Sequence, residues 1–110
     1  MKTAKRLLLE CVAPCVKLTD AIKEHATGQA FEDALRWHID VYHQFEKDAA
    51  RFVTGQPNNL FGSIDDLLNS FEDLVRMVED IGDVAKAEDA AYDALTTAYL
   101  YAEGIANENH

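Results

Sequence analysis

Apolar residues recur along this chain at alternating steps of three and four, in four stretches that cover most of its 110 residues. This spacing places each set on one stripe of an α-helix, and each stripe needs an apolar partner. The stripes are Ala4, Leu8, Cys11, Cys15, Leu18, Ile22, His25; Phe31, Leu35, His38, Tyr42, Phe45, Ala49, Phe52; Ile64, Leu67, Phe71, Leu74, Val78, Ile81, Ala85; and Ala91, Leu95, Ala98, Ala102, Ile105. The pattern predicts an all-α protein, an antiparallel four-helix bundle with heptad-like core stripes.

Glycine, proline and capping residues predict where these helices begin and end. The predicted helices span residues 2–26, 29–53, 63–81 and 84–106, within a single domain of residues 1–110. Gly28 follows the first stripe and predicts the end of the first helix, with a short connection to the second. Pro14 lies within that stripe, so we expect a kink near it rather than a chain reversal. Ser63 and Asp66 resemble a capping box and predict the start of the third helix.

Composition is that of a folded globular domain, because 48% of the residues are hydrophobic and 27% are charged. The sequence contains no uncharged apolar run long enough for a membrane-spanning helix. Glu10 interrupts the leucines that would otherwise resemble a signal peptide, and the expected location is the cytoplasm. Cys11 and Cys15 are too few for a disulfide framework and are expected to be buried thiols.

The negative charge is concentrated in the second half of the chain. The net charge of −10 divides into +2 for residues 1–24, −2 for residues 25–61 and −10 for residues 62–110. Paired acids repeat seven residues apart on the third helix, at Asp65, Asp66, Glu72, Asp73, Glu79 and Asp80. These carboxylates indicate either a surface for a basic protein partner or a solvated helix face. Nucleic-acid binding is disfavoured, because phosphate attracts the opposite charge.

The fourth helix carries apolar residues beside its alanine-rich stripe. These residues are Tyr92, Tyr99, Leu100 and Tyr101. Because tyrosines are common at protein interfaces, we expect this second surface to form a homodimer. The alternative is that these are scattered surface tyrosines.

No catalytic or cofactor-binding motif is present, so no cofactor is expected. Four side chains of the second helix, Trp37, His38, Tyr42 and Phe45, predict either a pocket for a small molecule between helices or simple filling of the bundle. His25 and His38 fall on core stripes and are expected to be neutral, buried and hydrogen-bonded.

Two short segments resemble motifs of known enzyme families. The run from Glu79 to Val84 resembles the second acidic half-motif of the all-α nucleotide pyrophosphohydrolases of MazG type, which implies Asp80 and Asp83 as magnesium ligands. The run from Arg36 to His43 is similar to the arginine–histidine signature of the HEPN ribonucleases, which are small dimeric helical bundles.

The sequence therefore predicts a small acidic protein that acts by binding rather than by catalysis. A basic protein is the expected partner, as for an immunity protein, an antitoxin or an inhibitor. The alternatives are a magnesium-dependent nucleotide pyrophosphohydrolase, or small-molecule binding in the core of the bundle.

Overall fold

The computed structural model describes residues 4–78 and 82–108, and this part of the chain contains four helices and no strand. Helix α1 spans Ala4–Lys23, α2 spans Gln29–Val53, α3 spans Leu60–Arg76 and α4 spans Gly82–Glu108. The predicted all-α, four-helix fold is confirmed. Helix α1 continues through Pro14, because the apolar stripe stays in phase on both sides of it.

Contacts between side chains show that α2 and α3 run antiparallel. Asp48 contacts Ser63, and His38 contacts Ser70, so residue numbers decrease along α2 as they increase along α3. The short connections between the helices impose this reversal, because they are too short to carry the chain back along the bundle.

The four helices form two tightly packed pairs. Helix α1 packs chiefly against α4, and α2 packs chiefly against α3, whereas the contacts between α3 and α4 are fewer and those between α1 and α2 are the fewest of the four adjacent pairs. The Cα atoms extend over 47 × 24 × 16 Å, so the bundle is long and flat. This arrangement leaves an open seam between α1 and α2.

The core is built from the predicted stripes, with changes near the helix ends. Its buried members are Leu7, Cys11, Cys15, Leu18, Ile22, Phe31, Phe45, Ala49, Leu60, Ile64, Leu67, Phe71, Leu74, Val78, Val84, Ala91, Leu95, Ala98 and Ala102. His25, predicted to be buried, is exposed because α1 ends at Lys23. Ala85 is exposed and Val84 is buried, since α4 is a separate helix that starts a new phase at Gly82. Ile81 lies outside the described residues.

Gly28 belongs to the start of α2 rather than to the end of α1. The backbone N–H of His25 donates to the carbonyl of Ile22 at 3.0 Å in the turn that follows α1. Gly28 itself is the residue before the first turn of α2 and has a φ of 110°, a conformation that favours glycine. The predicted role of this glycine as the stop signal of α1 is therefore wrong.

Helix α2 ends in a Schellman motif. The N–H of Gln56 donates to the carbonyl of Arg51 at 2.8 Å, and the N–H of Gly55 donates to the carbonyl of Phe52 at 3.2 Å. Gly55 has a φ of 74°, the left-handed conformation that this motif requires. The two bonds satisfy carbonyls that the helix itself leaves without donors.

Helix α3 begins at Leu60, ahead of the predicted capping box at Ser63. Two side chains prepare this start: the carboxylate of Asp48 accepts from the N–H of Asn59 at 3.2 Å, and the side-chain oxygen of Asn58 accepts from the N–H of Leu60 at 3.0 Å. Ser63 lies in the first turn and donates its hydroxyl proton to Asp48 instead of capping. The capping-box prediction is wrong because a carboxylate from α2 supplies the acceptor.

Candidate functional site

A buried histidine links three helices at the middle of the bundle. The side chain of His38 on α2 is only 2% exposed. Its Nδ1 lies 2.8 Å from Oγ of Ser70 on α3, and its Nε2 lies 3.2 Å from Oγ1 of Thr19 on α1. The burial expected for His38 is present, and both ring nitrogens have partners.

The ring of His38 is held in its neutral form. Burial, and secondly the positive charge of Lys23, lower the pKa of His38 from 6.5 to about 4. A neutral imidazole has one N–H and one nitrogen that can only accept. The hydroxyls of Thr19 and Ser70 also lie within 3.0 Å and 2.8 Å of backbone carbonyls in their own helices. One of these two hydroxyls must therefore donate to the ring rather than to its carbonyl.

A groove with a volume of about 280 Å³ lies above this histidine, in the open seam between α1 and α2. Its lining consists of Val16, Thr19, Asp20, Lys23, His38, Ile39, Tyr42, His43 and Glu46. Of the four predicted pocket residues, His38 and Tyr42 line this groove. Trp37 is 44% exposed on another side of α2, and Phe45 is fully buried in the core, so neither joins the groove.

Tyr42 contributes a hydroxyl that stays protonated at neutral pH. Burial is the main cause that raises the pKa of Tyr42 to about 12, with smaller contributions from Cys15, Glu46 and Cys11. A protonated phenol can both donate and accept a hydrogen bond. The groove therefore offers two neutral hydroxyls, those of Tyr42 and Thr19, beside the apolar side chains of Val16 and Ile39.

A second buried polar cluster surrounds Asp48, close to the connection between α2 and α3. Its carboxylate accepts hydrogen bonds from the hydroxyl of Ser63, from the backbone N–H of Asn59 and from the side chain of Gln44. Burial alone would raise the pKa of Asp48, but these hydrogen bonds and the charge of Arg51 outweigh it and lower the pKa. All partners belong to this corner of the fold, so the cluster is structural.

The described acids of α3 lie on its outer half. Asp65, Asp66 and Glu72 are exposed, and Asp73 is half-buried. Arg76 is the one basic residue of α3, and its guanidinium lies 3.9 Å from Glu72 and 3.7 Å from Asp73. Such exposed ion pairs contribute little to stability. Because Arg76 is a single cation among several carboxylates, the surface of α3 remains strongly acidic. The predicted binding residues Glu79 and Asp80 lie outside the described residues.

Helix α4 adds acids to the same region. Burial raises the pKa of Tyr92 to about 12, with contributions from Glu88 and then Glu72 that the charge of Arg76 partly opposes. Glu72 belongs to α3 and Glu88 to α4, so the charges of carboxylates from two helices act on one tyrosine. We call Asp65, Asp66, Glu72, Asp73 and Glu88 the acidic surface.

The tyrosines of α4 pack within the chain. The ring of Tyr99 meets Phe61 of α3 edge-on, with ring centroids 4.8 Å apart. Tyr92 and Tyr101 are half-buried against the core, whereas Leu100 is 61% exposed. Of the four residues predicted for a homodimer surface, Leu100 is exposed and the three tyrosines are half-buried.

The residues that carry the two enzyme resemblances do not form a recognisable site among the described residues. The described residues contain no group of three or more histidine, cysteine, aspartate or glutamate side chains placed to hold a metal ion. Asp83 is exposed in the first turn of α4, and Asp80 lies outside the described residues. Arg36 and His43 are both exposed on α2, and Nδ1 of His43 lies 3.5 Å from a carboxylate oxygen of Glu46.

Sequence reasoning missed the buried polar residues that shape these sites. Asp48, Ser63 and Ser70 are buried, and Thr19 is half-buried. A signal was present for the two serines, because they lie seven residues apart and each directly precedes a core residue of α3. No apolar pattern marks Asp48 or Thr19.

The sequence matches no protein-family model, no curated protein and no solved structure. Among the described residues, no helix is both long and apolar enough to cross a membrane.

Proposed function

We propose that this protein acts by binding, and that its acidic surface contacts a basic face of another protein. The observation that carries the proposal is that the charges of Glu72 on α3 and Glu88 on α4 both act on Tyr92. Acids on two adjacent helices form a broader negative field than one helix face can produce, and such a field speeds the approach of a positively charged partner.

The distribution of basic residues supports the same proposal. Arg76 is the one cation of α3, and Lys86 is the one cation of α4. The carboxylates of Asp65 and Asp66 have no ion-pair partner within the described part of the chain. Uncompensated like charges cost helix stability, and a basic partner would relieve that repulsion.

Charge reversal tests the proposal. The double variant Asp65→Lys/Asp66→Lys would be compared with Asp33→Lys/Asp40→Lys, which makes the same charge change at exposed positions of α2. Each protein would be immobilised and exposed at low salt to lysate of the source cell, followed by elution with a salt gradient. We expect one basic protein to be retained by the wild type and by the α2 variant, and lost with the α3 variant.

Loss with both variants would show that only net charge matters, and retention by the α3 variant would show that the acidic surface is not used. Circular dichroism of each variant supplies the control for folding. Loss with both variants and retention by the α3 variant would each contradict the proposal.

Self-association through α4 is a second proposal, supported by the 61% exposure of Leu100. A large apolar side chain at the centre of a contact would lose its exposed area on dimerisation. Sedimentation of the wild type and of Leu100→Glu tests this proposal: a dimer that dissociates in the variant supports it, and a monomeric wild type contradicts it. No observation on the described residues favours the magnesium-dependent hydrolase.

A further inference from the structure

The groove between α1 and α2 has the features of a small-ligand site, and it lies away from the acidic surface. It exists because α1 packs chiefly on α4 while α2 packs chiefly on α3, so the seam between α1 and α2 is left unfilled. A closed cavity of about 150 Å³ is sufficient for benzene. The volume of about 280 Å³ found here has room for one ring with substituents.

The floor of the groove is polar and rigid. Oγ1 of Thr19 is positioned by Nε2 of His38 at 3.2 Å, and His38 is fixed in turn by Ser70 on its other side. The hydroxyl of Thr19 is half-buried and lines the groove, so it can turn from the carbonyl of Cys15 toward a bound acceptor. Hydroxyls held in this way bind with little loss of side-chain entropy.

A cation, Lys23, lies next to this floor. Thr19 and Lys23 are four residues apart on α1, so their side chains occupy the same helix face. The ammonium group of Lys23 has no ion-pair partner in the described part of the chain, and its field reaches His38.

The two carboxylates of the groove are placed differently. Glu46 lies with His43, whose Nδ1 is 3.5 Å from its carboxylate. In the antiparallel arrangement, Glu46 is two helical turns from the level of His38, toward the other end of the groove. Asp20, which follows Thr19 by one residue, also lines the groove, but it makes no ion pair with Lys23. The ammonium group of Lys23 is therefore available to pair with a bound anion at the end of the groove near Thr19.

We propose that this groove binds a small monocarboxylate with an apolar body. The carboxylate would contact the ammonium group of Lys23 and the hydroxyl of Thr19. The apolar body would lie against Val16, Ile39 and the ring of Tyr42, which are the apolar parts of the lining. Pockets of this kind combine apolar walls with a few placed polar groups that fix the orientation of the ligand.

Three probes that share one methyl-substituted ring test the charge preference: 4-methylbenzoate, 4-methylphenol and 4-methylbenzylamine. Binding to the full chain would be followed by amide chemical shifts in ¹⁵N-correlation spectra. We expect 4-methylbenzoate to bind about tenfold more tightly than the amine, because the charge change replaces attraction with repulsion. The shifts should cluster at residues 16–23 and 38–43.

Two matched variants assign the preference to its residue. Lys23→Met should abolish the preference for 4-methylbenzoate, whereas Lys17→Met, at an exposed position of α1 that does not line the groove, should keep it. The proposal is overturned if 4-methylphenol or the amine binds as tightly as 4-methylbenzoate. It is equally overturned if no probe shifts these residues, or if the preference survives in Lys23→Met.

Discussion

Nδ1 of His38 lies 2.8 Å from Oγ of Ser70, and this contact joins α2 to α3 in the interior of the bundle. The ring of Phe71 packs beside it, with its centroid 4.4 Å from that of the imidazole. Ser70 is fully buried, so water cannot replace it as a partner of the ring. On the other side, Nε2 meets Thr19, which borders the groove and is half-buried. The two hydrogen bonds of one ring thus have different access to solvent.

Removal of the two hydroxyls should therefore have unequal effects. We expect Ser70→Ala to lower the free energy of unfolding by about 2 kcal/mol, because it leaves a buried ring nitrogen without a partner. Thr19→Val should cost about 1 kcal/mol or less, since water in the groove can reach Nε2. Urea denaturation of both variants at neutral pH measures the difference. Equal losses, or a larger loss with Thr19→Val, would contradict this account of His38.

The low pKa of His38 predicts a defined dependence of stability on pH. The folded protein takes up this proton at about pH 4, whereas the unfolded chain takes it up at about 6.5. Between these values the unfolded chain binds more protons, so the free energy of unfolding falls as the pH is lowered. His38 should account for a loss of up to about 3 kcal/mol between pH 7 and pH 4, at about 1.4 kcal/mol per pKa unit.

Urea denaturation across this range, on the wild type and on His38→Gln, measures that contribution. The variant should be less stable at pH 7 and should lose less stability on acidification. If the two proteins show the same slope of stability against pH, the slope arises elsewhere and the prediction fails.

The sequence predicts the helices well because apolar periodicity is a local property. The stripe from Phe31 to Phe52 coincides with α2, and its members are buried or half-buried. The predictions fail at the helix ends, where the outcome depends on partners distant in sequence. Ser63 matches a local capping pattern, but its hydroxyl donates a hydrogen bond to the carboxylate of Asp48, fifteen residues earlier.

The groove was predictable only in part, for a related reason. His38 and Tyr42 are conspicuous polar or aromatic residues on a core stripe, and both line it. Val16 and Lys23 carry no such signal, because their role depends on which helices pack tightly. Periodicity cannot show that α1 packs more closely on α4 than on α2.

The buried carboxylate of Asp48 should make a large contribution to stability. In the wild type, Oδ2 of Asp48 accepts from Ser63 and Gln44, and Oδ1 accepts from the N–H of Asn59. In Asp48→Asn an amide nitrogen replaces one of these oxygens and cannot accept a hydrogen bond. We expect a loss of about 2 kcal/mol at pH 7. Because the pKa of Asp48 is lowered, its contribution is present above the unfolded value near 4 and disappears as the pH falls through the lower folded value.

The control for Asp48 is Asp40→Asn, at an exposed position of α2, which should change stability by about 0.5 kcal/mol or less. Urea denaturation at pH 7 compares the two. Similar small effects at both positions would show that the cluster around Asp48 does not hold the connection between α2 and α3.

Two glycines should respond in opposite directions to alanine. Gly55 has a φ of 74° in the Schellman motif, so Gly55→Ala should cost about 1 kcal/mol. Gly104 lies inside α4 with no atom near the position of an added methyl group, so Gly104→Ala should stabilise the protein by about 0.5 to 1 kcal/mol. Thermal denaturation shows the signs directly, and a stabilising Gly55→Ala would disprove the left-handed turn.

Cys11 and Cys15 should be unreactive until the protein unfolds. Both are fully buried, and burial is the main cause that raises the pKa of each thiol to about 12. The thiolate is the nucleophile, so both access and charge oppose reaction. Ala13→Cys provides a matched control, because it adds a thiol at an exposed position between them on the same helix. With a disulfide reagent at pH 8, the added thiol should react at once. The native pair should react only when urea is added, at the rate at which the bundle unfolds. Rapid labelling of Cys11 or Cys15 without urea would mean that the contact of α1 with α4 opens easily, contrary to the tight packing of that pair.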